Sequence, residues 1–249
     1  MTLPHRPSDA GAPPPGDPGS AQPPPAHRRR PPRPATVAAV LAAAFAVLAW
    51  VVLARHGVPY PIDTGPHRWS VAHRPHGVLT AARAVTHAGT GPYPYLGAAA
   101  GGWLAGSRGR TSRARDGVPV ALLAVVALLA EQSLRTLLVV ALHRSRPPVA
   151  DWATAASGHS FPSGHTSSSA MAAGLLAWGL LRARPGPLGR TLAALCALVA
   201  VAVGCTRVYL GVHWPTDVIG GWLYAGCCLA VALPLLSWCA GRTGQTDTP

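Results

Sequence analysis

Long apolar runs separated by polar segments restrict the fold of this chain more than any other feature. The first run, ATVAAVLAAAFAVLAWVVLA, supplies the roughly 20 residues that a helix needs to cross the hydrocarbon core of a bilayer. Isolated strands would leave backbone groups unpaired in lipid, so such runs predict helices. We therefore predict an all-α, polytopic membrane protein. Its six expected transmembrane helices, packed as a bundle, span residues 35–54, 92–106, 118–142, 167–181, 190–206 and 217–240.

The composition agrees with a membrane protein and predicts three parts. Of the 249 residues, 49% are hydrophobic and 12% charged, whereas roughly 25% of the residues of a soluble domain are charged. Residues 1–34 hold 12 prolines and too few apolar side chains to offset the entropy of ordering. We expect a disordered cytoplasmic arm at 1–34, a transmembrane domain at 35–240 and a short cytoplasmic tail at 241–249.

The positive charge of the chain indicates its orientation in the membrane. All 21 basic residues are arginines, and they cluster between apolar runs instead of forming a stripe that would bind nucleic acid. Arginine-rich segments prefer the cytoplasmic side, so we expect both termini inside the cell. The loops 55–91, 143–166 and 207–216 then lie on the outer face of the cell membrane.

Three polar motifs lie in or at the ends of these outer loops. They are HRSRPP at 143–148, PSGH at 162–165 and TRVYLGVHWPTD at 206–217. Each borders an apolar run, so the three motifs are expected to meet at one membrane surface. The candidate site residues that they supply are Arg144, Arg146, Ser163, Gly164, His165, Arg207, His213 and Asp217.

These residue types suit the transfer of a phosphoryl group. The guanidinium groups of Arg146 and Arg207 match phosphate oxygens bidentately, and a serine and a glycine at a helix start add hydroxyl and N–H donors. His213 and Asp217 are four residues apart, so on a helix their side chains share a face. Asp217 can then hold one ring nitrogen of His213 while the other acts as a nucleophile. His165 can protonate a leaving alkoxide and later activate water.

Each motif has a simpler interpretation when it stands alone. PSGH can be a loop-to-helix junction, His213 and Asp217 can form a surface pair, and arginines at a membrane boundary can bind lipid headgroups. The five cysteines have neither zinc-site nor disulfide spacing. A site of two histidines and one carboxylate can hold a metal ion, but two arginines beside it would repel a divalent cation. We therefore expect neither a metal ion nor a cofactor.

The three motifs together resemble the signature of the type 2 phosphatidic acid phosphatase family, integral-membrane lipid phosphatases related to vanadium haloperoxidases. That signature is a lysine, six residues and Arg-Pro, then Pro-Ser-Gly-His, then Ser-Arg, five residues, His, three residues and Asp. The resemblance covers roughly residues 131–224. It implies a six-helix bundle with an outward-facing site that hydrolyses a lipid phosphomonoester or a prenyl pyrophosphate without a metal ion.

The resemblance also implies a role for each motif residue. His213 would attack phosphorus and form a phosphohistidine, while His165 would protonate the leaving oxygen and then take a proton from water. The phosphoryl oxygens would be held by Arg146, Arg207, Ser163 and Gly164.

Two positions depart from the family signature. Thr206 replaces the serine and keeps a hydroxyl group. Val139 occupies the lysine position, and the chain contains no lysine. Arg135 lies one turn earlier, about 6 Å deeper, where we expect its side chain to tilt away from the outer face and to pair with Glu131. We therefore expect Arg144 to make the additional phosphate contact.

The replaced lysine leaves other functions open. One is a catalytically weak membrane protein that binds lipid phosphates. A vanadate-dependent haloperoxidase would use the same cradle, but by family comparison that chemistry belongs to soluble chains. A transporter is suggested by the intramembrane Glu131 and Arg135, yet the sequence shows no inverted repeat with broken helices. Phosphatidic acid, prenyl pyrophosphate and phosphatidylglycerol phosphate all stay open as substrates.

Overall fold

The described part of the chain is helical throughout its regular secondary structure. The computed structural model describes Met1 and residues 33–55, 58–107 and 117–242, which confirms the all-α class. Most of the predicted arm and tail therefore lies outside the described residues. Eight α-helices occur in these ranges: α1 (Pro34–Leu53), α2 (Pro61–Ala72), α3 (His76–Thr86), α4 (Tyr93–Gly106), α5 (Gly117–Leu142), α6 (Gly164–Ala183), α7 (Pro187–Tyr209) and α8 (Pro215–Arg242).

Helices occur at all six positions predicted from the apolar runs. In the described ranges, four of them, α1, α5, α7 and α8, are long and apolar enough to cross a membrane. The other two helices are too short or too polar to be identified as membrane spans in this way. Helix α4 has only 14 residues, and the first turns of α6 carry a histidine, a threonine and three serines. The chain is therefore a helical membrane protein, and the six-span layout remains a prediction.

The segment expected as a long outer loop contains two further helices. Neither α2 nor α3 has an apolar run, and α2 includes Pro66 in its interior. Helix α3 packs against α7, and α2 contacts both α7 and α8. The two short helices therefore cover the end of the bundle where α7 ends and α8 begins.

The centre of the bundle is formed by α4, α5, α6 and α8. Leu128, Met171 and Leu175 are buried there with small side chains from the neighbouring helices. A Cβ atom at Gly179 would overlap the carbonyl oxygen of Gly101, so α4 and α6 can pack this closely only because both positions are glycine. Small residues of this kind let helix backbones approach each other in a bilayer.

The helix ends bring the three sequence motifs together. Helices α5 and α7 end, and α6 and α8 begin, at the same end of the bundle. There Ser160 N donates to the Arg144 carbonyl at 2.8 Å, and Ser163 N donates to the Asp217 carbonyl at 3.1 Å. These backbone hydrogen bonds join the segment before α6 to the end of α5 and to the first turn of α8.

Candidate active site

His213 and Asp217 form the predicted pair at the beginning of α8. Asp217 Oδ2 accepts hydrogen bonds from Trp214 N at 2.8 Å and from His213 Nδ1 at 3.3 Å. The other ring nitrogen, His213 Nε2, lies 2.9 Å from Arg146 Nη1. With the proton on Nδ1 held by Asp217, the lone pair on Nε2 accepts from the guanidinium group. This is the tautomer that a nucleophilic Nε2 requires.

The surroundings of His213 keep its imidazole neutral. Burial lowers the pKa of His213 to about 4, an effect larger than the rise caused by the hydrogen bond and negative charge of Asp217. The positive charges of Arg146 and Arg207 lower the pKa further. A neutral imidazole, with an unprotonated Nε2 that accepts from Arg146, is therefore the dominant form near neutral pH.

Arg146 joins two loops beside His213 Nε2. Its Nε donates to the Gly158 carbonyl at 3.0 Å and its Nη2 to the carbonyls of Ser157 at 2.9 Å and His159 at 3.1 Å. Its Nη1 donates to the Val212 carbonyl at 2.8 Å as well as to the imidazole. A guanidinium group has five N–H donors. Four of them are bound to backbone carbonyls, so the donor that faces the imidazole is the one that a phosphoryl oxygen could share.

Arg207 is buried near the end of α7 with unused donor capacity. Its Nη1 donates to Thr86 Oγ1 at 2.9 Å. Its Nε is buried and has no hydrogen-bond acceptor in the part of the chain that the structure describes. The neighbouring Thr206 directs its hydroxyl into its own helix, to the Val203 carbonyl at 2.6 Å. An oxyanion at this position would satisfy the buried donor of Arg207.

His165 lies in the first turn of α6. Two residues earlier, Ser163 N donates to the Asp217 carbonyl at 3.1 Å, so the beginning of α6 that carries His165 lies beside the pair of His213 and Asp217. The α6 backbone can approach the turn before α4 because residue 89 is glycine, where a Cβ atom would lie 2.6 Å from the His165 carbonyl oxygen.

Ser163 and Gly164 form the beginning of α6, as the PSGH motif predicts. Ser163 is fully buried, and its Oγ accepts a hydrogen bond from Thr166 Oγ1 at 2.9 Å. The N–H groups of the first helical turn have no acceptor within the helix. Gly164 and His165 therefore present backbone donors next to the imidazoles, as an anion site needs.

Arg144 does not lie where a phosphate ligand is expected. It is 2% exposed, and its guanidinium binds Asp217 Oδ1 at 2.5 Å, Asp63 Oδ2 at 2.7 Å and Thr216 Oγ1 at 2.7 Å. Two carboxylates neutralise it, and a buried arginine is stable only with such partners. The expected phosphate contact of Arg144 is not supported, and its geometry favours a positioning role on the far oxygen of Asp217.

Arg135 reaches the site, contrary to its expected direction. A Cβ atom at Gly164 would lie 2.9 Å from Arg135 Cζ, so the guanidinium group fills the space beside the beginning of α6. The expected ion pair with Glu131 is absent within 4 Å among the described residues. The long arginine side chain spans one helical turn of about 5.4 Å, and this length overcomes the tilt that the sequence argument used.

Asp63 in α2 was not anticipated from the sequence. Its Oδ1 accepts from Thr216 N at 3.0 Å and from Thr216 Oγ1 at 2.7 Å, and its Oδ2 accepts from Arg144. It therefore caps α8 from another helix. No local sequence pattern links Asp63 to the motif residues, so the sequence alone did not identify it.

The combined charges favour an anion over a cation. Within the described ranges, no group of three or more His, Cys, Asp and Glu side chains is arranged to hold a metal ion. The acidic side chains of the site are already bound to Arg144, whereas Arg207 keeps an unsatisfied donor. The arrangement can bind an anion such as a phosphoryl group beside the His213 imidazole.

Comparisons with known proteins agree with this chemistry. Residues 120–240 match the family model of the PAP2 superfamily. The chain is 35% identical over 155 residues to decaprenylphosphoryl-5-phosphoribose phosphatase of Mycolicibacterium smegmatis. This match covers 61% of this chain and 75% of that protein. It is 40% identical over 67 residues to phosphatidylglycerophosphatase B of Bacillus subtilis, a match to 26% of this chain and only 33% of that protein.

A solved structure has the same fold. A transmembrane PAP2-type phosphatidylglycerolphosphate phosphatase from Bacillus subtilis superimposes with a TM-score of 0.66 and 23% identity, covering 80% of this chain and 95% of that chain.

Proposed function

Because the chain belongs to the PAP2 superfamily, we propose that it is an integral-membrane lipid phosphatase that hydrolyses a lipid phosphomonoester or pyrophosphate. The observation that carries the proposal is the position of His213 Nε2, which lies 2.9 Å from Arg146 Nη1 at the end of the bundle where His165 and Arg207 also lie. Both relatives are named as phosphatases of lipid-linked phosphates, which supports a substrate of this class.

In the first proposed step, His213 Nε2 attacks the phosphorus atom. The new N–P bond forms while the bond from phosphorus to the leaving oxygen breaks, and that oxygen takes the bonding electrons. Asp217 stabilises the positive charge that develops on the imidazole. Protonated His165 donates its proton to the leaving oxygen. The negative charge of the bound substrate offsets the nearby arginines and so favours this protonated form.

In the second step, water releases the phosphate. Neutral His165 takes a proton from the attacking water, an O–P bond forms, and the N–P bond to His213 breaks. Inorganic phosphate leaves, and both imidazoles return to their starting states. His165 therefore transfers a proton in opposite directions in the two half-reactions, and His213 carries the phosphoryl group between them.

The phosphoryl oxygens are held by positive charge and backbone donors. We propose that Arg146 turns one N–H from the imidazole to an oxygen, and that Arg207 supplies its unsatisfied Nε. Ser163 contributes its hydroxyl proton, and Gly164 contributes its N–H. Such positioned charge is the main source of catalysis in phosphoryl transfer, and guanidinium groups supply it without a metal ion or cofactor.

We propose the orientation that the arginines indicate. Arg182, Arg184 and Arg190 lie where α6 ends and α7 begins, at the end of the bundle opposite His165. Basic residues favour the cytoplasmic side, so the site faces outward and both termini lie inside. The lipid headgroup then enters from the outer surface while its chains stay in the bilayer.

The proposal is tested by phosphate release from a panel of lipid phosphates, using purified protein in lipid vesicles. We expect release by the wild-type protein, its abolition in His213→Ala, and an acid-labile phosphoryl-enzyme that depends on His213. Activity is expected to persist in EDTA. Full turnover by His213→Ala would show that His213 is not the nucleophile. Loss of activity in EDTA would show that the reaction needs a metal ion.

A second candidate function is supported by Val139 at the position of the signature lysine. A site with a weakened phosphate cradle would bind lipid phosphates without efficient hydrolysis. Saturable binding of a lipid phosphate by wild-type protein, with no phosphate release from any substrate, would favour this candidate.

A further inference from the structure

Helix α2 buries polar side chains and exposes apolar ones. Its buried face, turned toward the bundle, consists of three polar residues, Asp63, His67 and Ser70. One stripe of its outer face consists of three exposed apolar residues at helical spacing, Ile62, Pro66 and Trp69. The side chains of Ile62 and Trp69 are each 59% exposed. A helix in water favours the reverse arrangement, so this stripe indicates an apolar environment outside the protein.

Helix α3 has three distinct sides. The side packed against the bundle carries the buried Ala82 and Thr86. A second side is exposed and apolar, and consists of Val78, Ala81 and Val85. The third side is exposed and polar, and consists of His76, Thr80 and Arg83. A short helix with one apolar and one basic outer side is typical of helices that lie in a membrane interface.

The exposed apolar stripes continue onto the surfaces of α7 and α8. Trp69 of α2 lines a groove of about 440 Å³ together with Ile219 and Trp222 of α8. Val85 of α3 lines a second groove together with Leu198 of α7. Both α7 and α8 are long and apolar enough to cross a membrane. The stripes are therefore continuous with the surface that contacts the acyl chains of the bilayer.

The same two helices and the turn between them carry uncompensated positive charge. In the part of the chain that the structure describes, Arg68, Arg74 and Arg83 have no carboxylate within 4 Å. Arg74 and Arg83 donate to the backbone carbonyls of Asp151 and Ala153, which leaves their charges in place. Positive charge beside an apolar stripe is complementary to the phosphates of anionic lipids.

We propose that α2 and α3 lie in the membrane interface and form a binding surface for anionic phospholipids. The apolar stripes enter the acyl region, and the three arginines bind headgroup phosphates. The partner is a lipid surface because the stripes continue onto the membrane-facing sides of α7 and α8. Binding at this surface does not depend on hydrolysis at His213, so its test is separate from that of the proposed function.

Fluorescence quenching in phosphatidylcholine vesicles tests the depth of α3. A fluorophore is attached at Val78→Cys or at Thr80→Cys, on opposite sides of the helix, in purified protein whose five native cysteines are replaced. We expect nitroxide-labelled acyl chains to quench position 78 more strongly than aqueous iodide does, and the reverse at position 80. Equal access of iodide to both positions would overturn the proposal. Protection of position 78 from both quenchers would show that a second copy of the chain covers it, which would also overturn the proposal.

The fluorophore at position 78 also tests the preference for anionic lipid. The quencher is nitroxide-labelled phosphatidylglycerol or phosphatidylcholine, each a minor component of phosphatidylcholine vesicles. We expect phosphatidylglycerol to quench at an about fivefold lower lipid fraction, the effect of one basic group at an anionic surface. Salt at about 0.5 M should remove most of this preference, because it screens exposed charges.

A matched pair of variants assigns the preference to this surface. Arg68→Gln should reduce it roughly twofold or more, because it removes a charge beside the stripe. Arg242→Gln removes the same charge from the last turn of α8, at the other end of the bundle, and should leave the preference unchanged. No preference in the protein with Arg68, or equal reductions by the two variants, would overturn the proposal.

Discussion

At the scale of single residues, a chain of buried polar groups orients His213, the proposed nucleophile. His213 binds one oxygen of Asp217, Arg144 binds the other, and Asp63 binds Arg144. Asp63 and Asp217 are fully buried. Because Asp217 fixes the proton on Nδ1, any group that holds Asp217 in place also controls which nitrogen of His213 is free.

We expect Asp63→Asn to reduce both stability and turnover. The substitution removes one of two carboxylates from the buried Arg144, and breaking such a pair costs about 3–5 kcal/mol of the free energy of unfolding. Because Asp63 does not reach the substrate, kcat should fall while KM changes little. Thermal unfolding and phosphate release measure the two effects. Asp151→Asn is the control, since Asp151 pairs with His67 but is 30% exposed, and its loss should cost less than about 1 kcal/mol.

The lowered pKa of His213 predicts how its protonation, and with it the stability of the protein, depends on pH. An unperturbed histidine becomes protonated below about pH 6.5, whereas His213 should stay neutral until the pH falls to about 4. In that window the unfolded chain binds a proton that the folded protein does not, so His213 makes stability fall as pH falls. The measurement is a ¹³C NMR titration of labelled histidine, with His213→Ala to assign the resonance. A midpoint near 6.5 would contradict the burial argument.

The sequence predicted which motif residues meet, because each motif stands at the end of an apolar run. It misplaced Arg144 and Arg135, since a long guanidinium side chain can reach any acceptor within a helical turn. It missed Asp63 because no local pattern links α2 to α8. Their contact depends on the tertiary fold alone.

At the scale of helices, the site depends on how closely two elements approach. Gly89 lies in the short turn between α3 and α4, against the first turn of α6.

The apolar runs predicted the long helices but not α2 and α3, whose stability comes from packing on α7 and α8 and not from their own composition.

We expect Gly89→Ala to lower activity by moving His165. The added Cβ atom would lie 2.6 Å from the His165 carbonyl oxygen and 2.9 Å from Val203 Cγ1, and the backbone oxygen cannot move without shifting α6. A displacement of about 1 Å in a catalytic group can cost about 100-fold in rate, so kcat should fall 10- to 100-fold by this estimate. Gly97→Ala on α4 is the control, because its Cβ atom would make an ordinary contact of 3.6 Å with Ala172.

At the scale of the whole molecule, a cluster of three arginines lies at the end of the bundle opposite the imidazoles. The imidazoles lie where α6 and α8 begin, whereas Arg182, Arg184 and Arg190 lie where α6 ends and α7 begins. Because basic loops favour the cytoplasmic side, the proposed orientation predicts that the substrate comes from the outer leaflet.

Cysteine labelling in intact cells tests this orientation directly. In a background in which the five native cysteines are replaced, Val149→Cys lies at the site end and Leu188→Cys at the opposite end, and the native side chains are 71% and 57% exposed. A membrane-impermeant maleimide should label position 149 in intact cells and position 188 only after permeabilisation. The cysteine-free parent should remain active and unlabelled. The reverse pattern would place the imidazoles on the cytoplasmic face, and the substrate would then come from the inner leaflet.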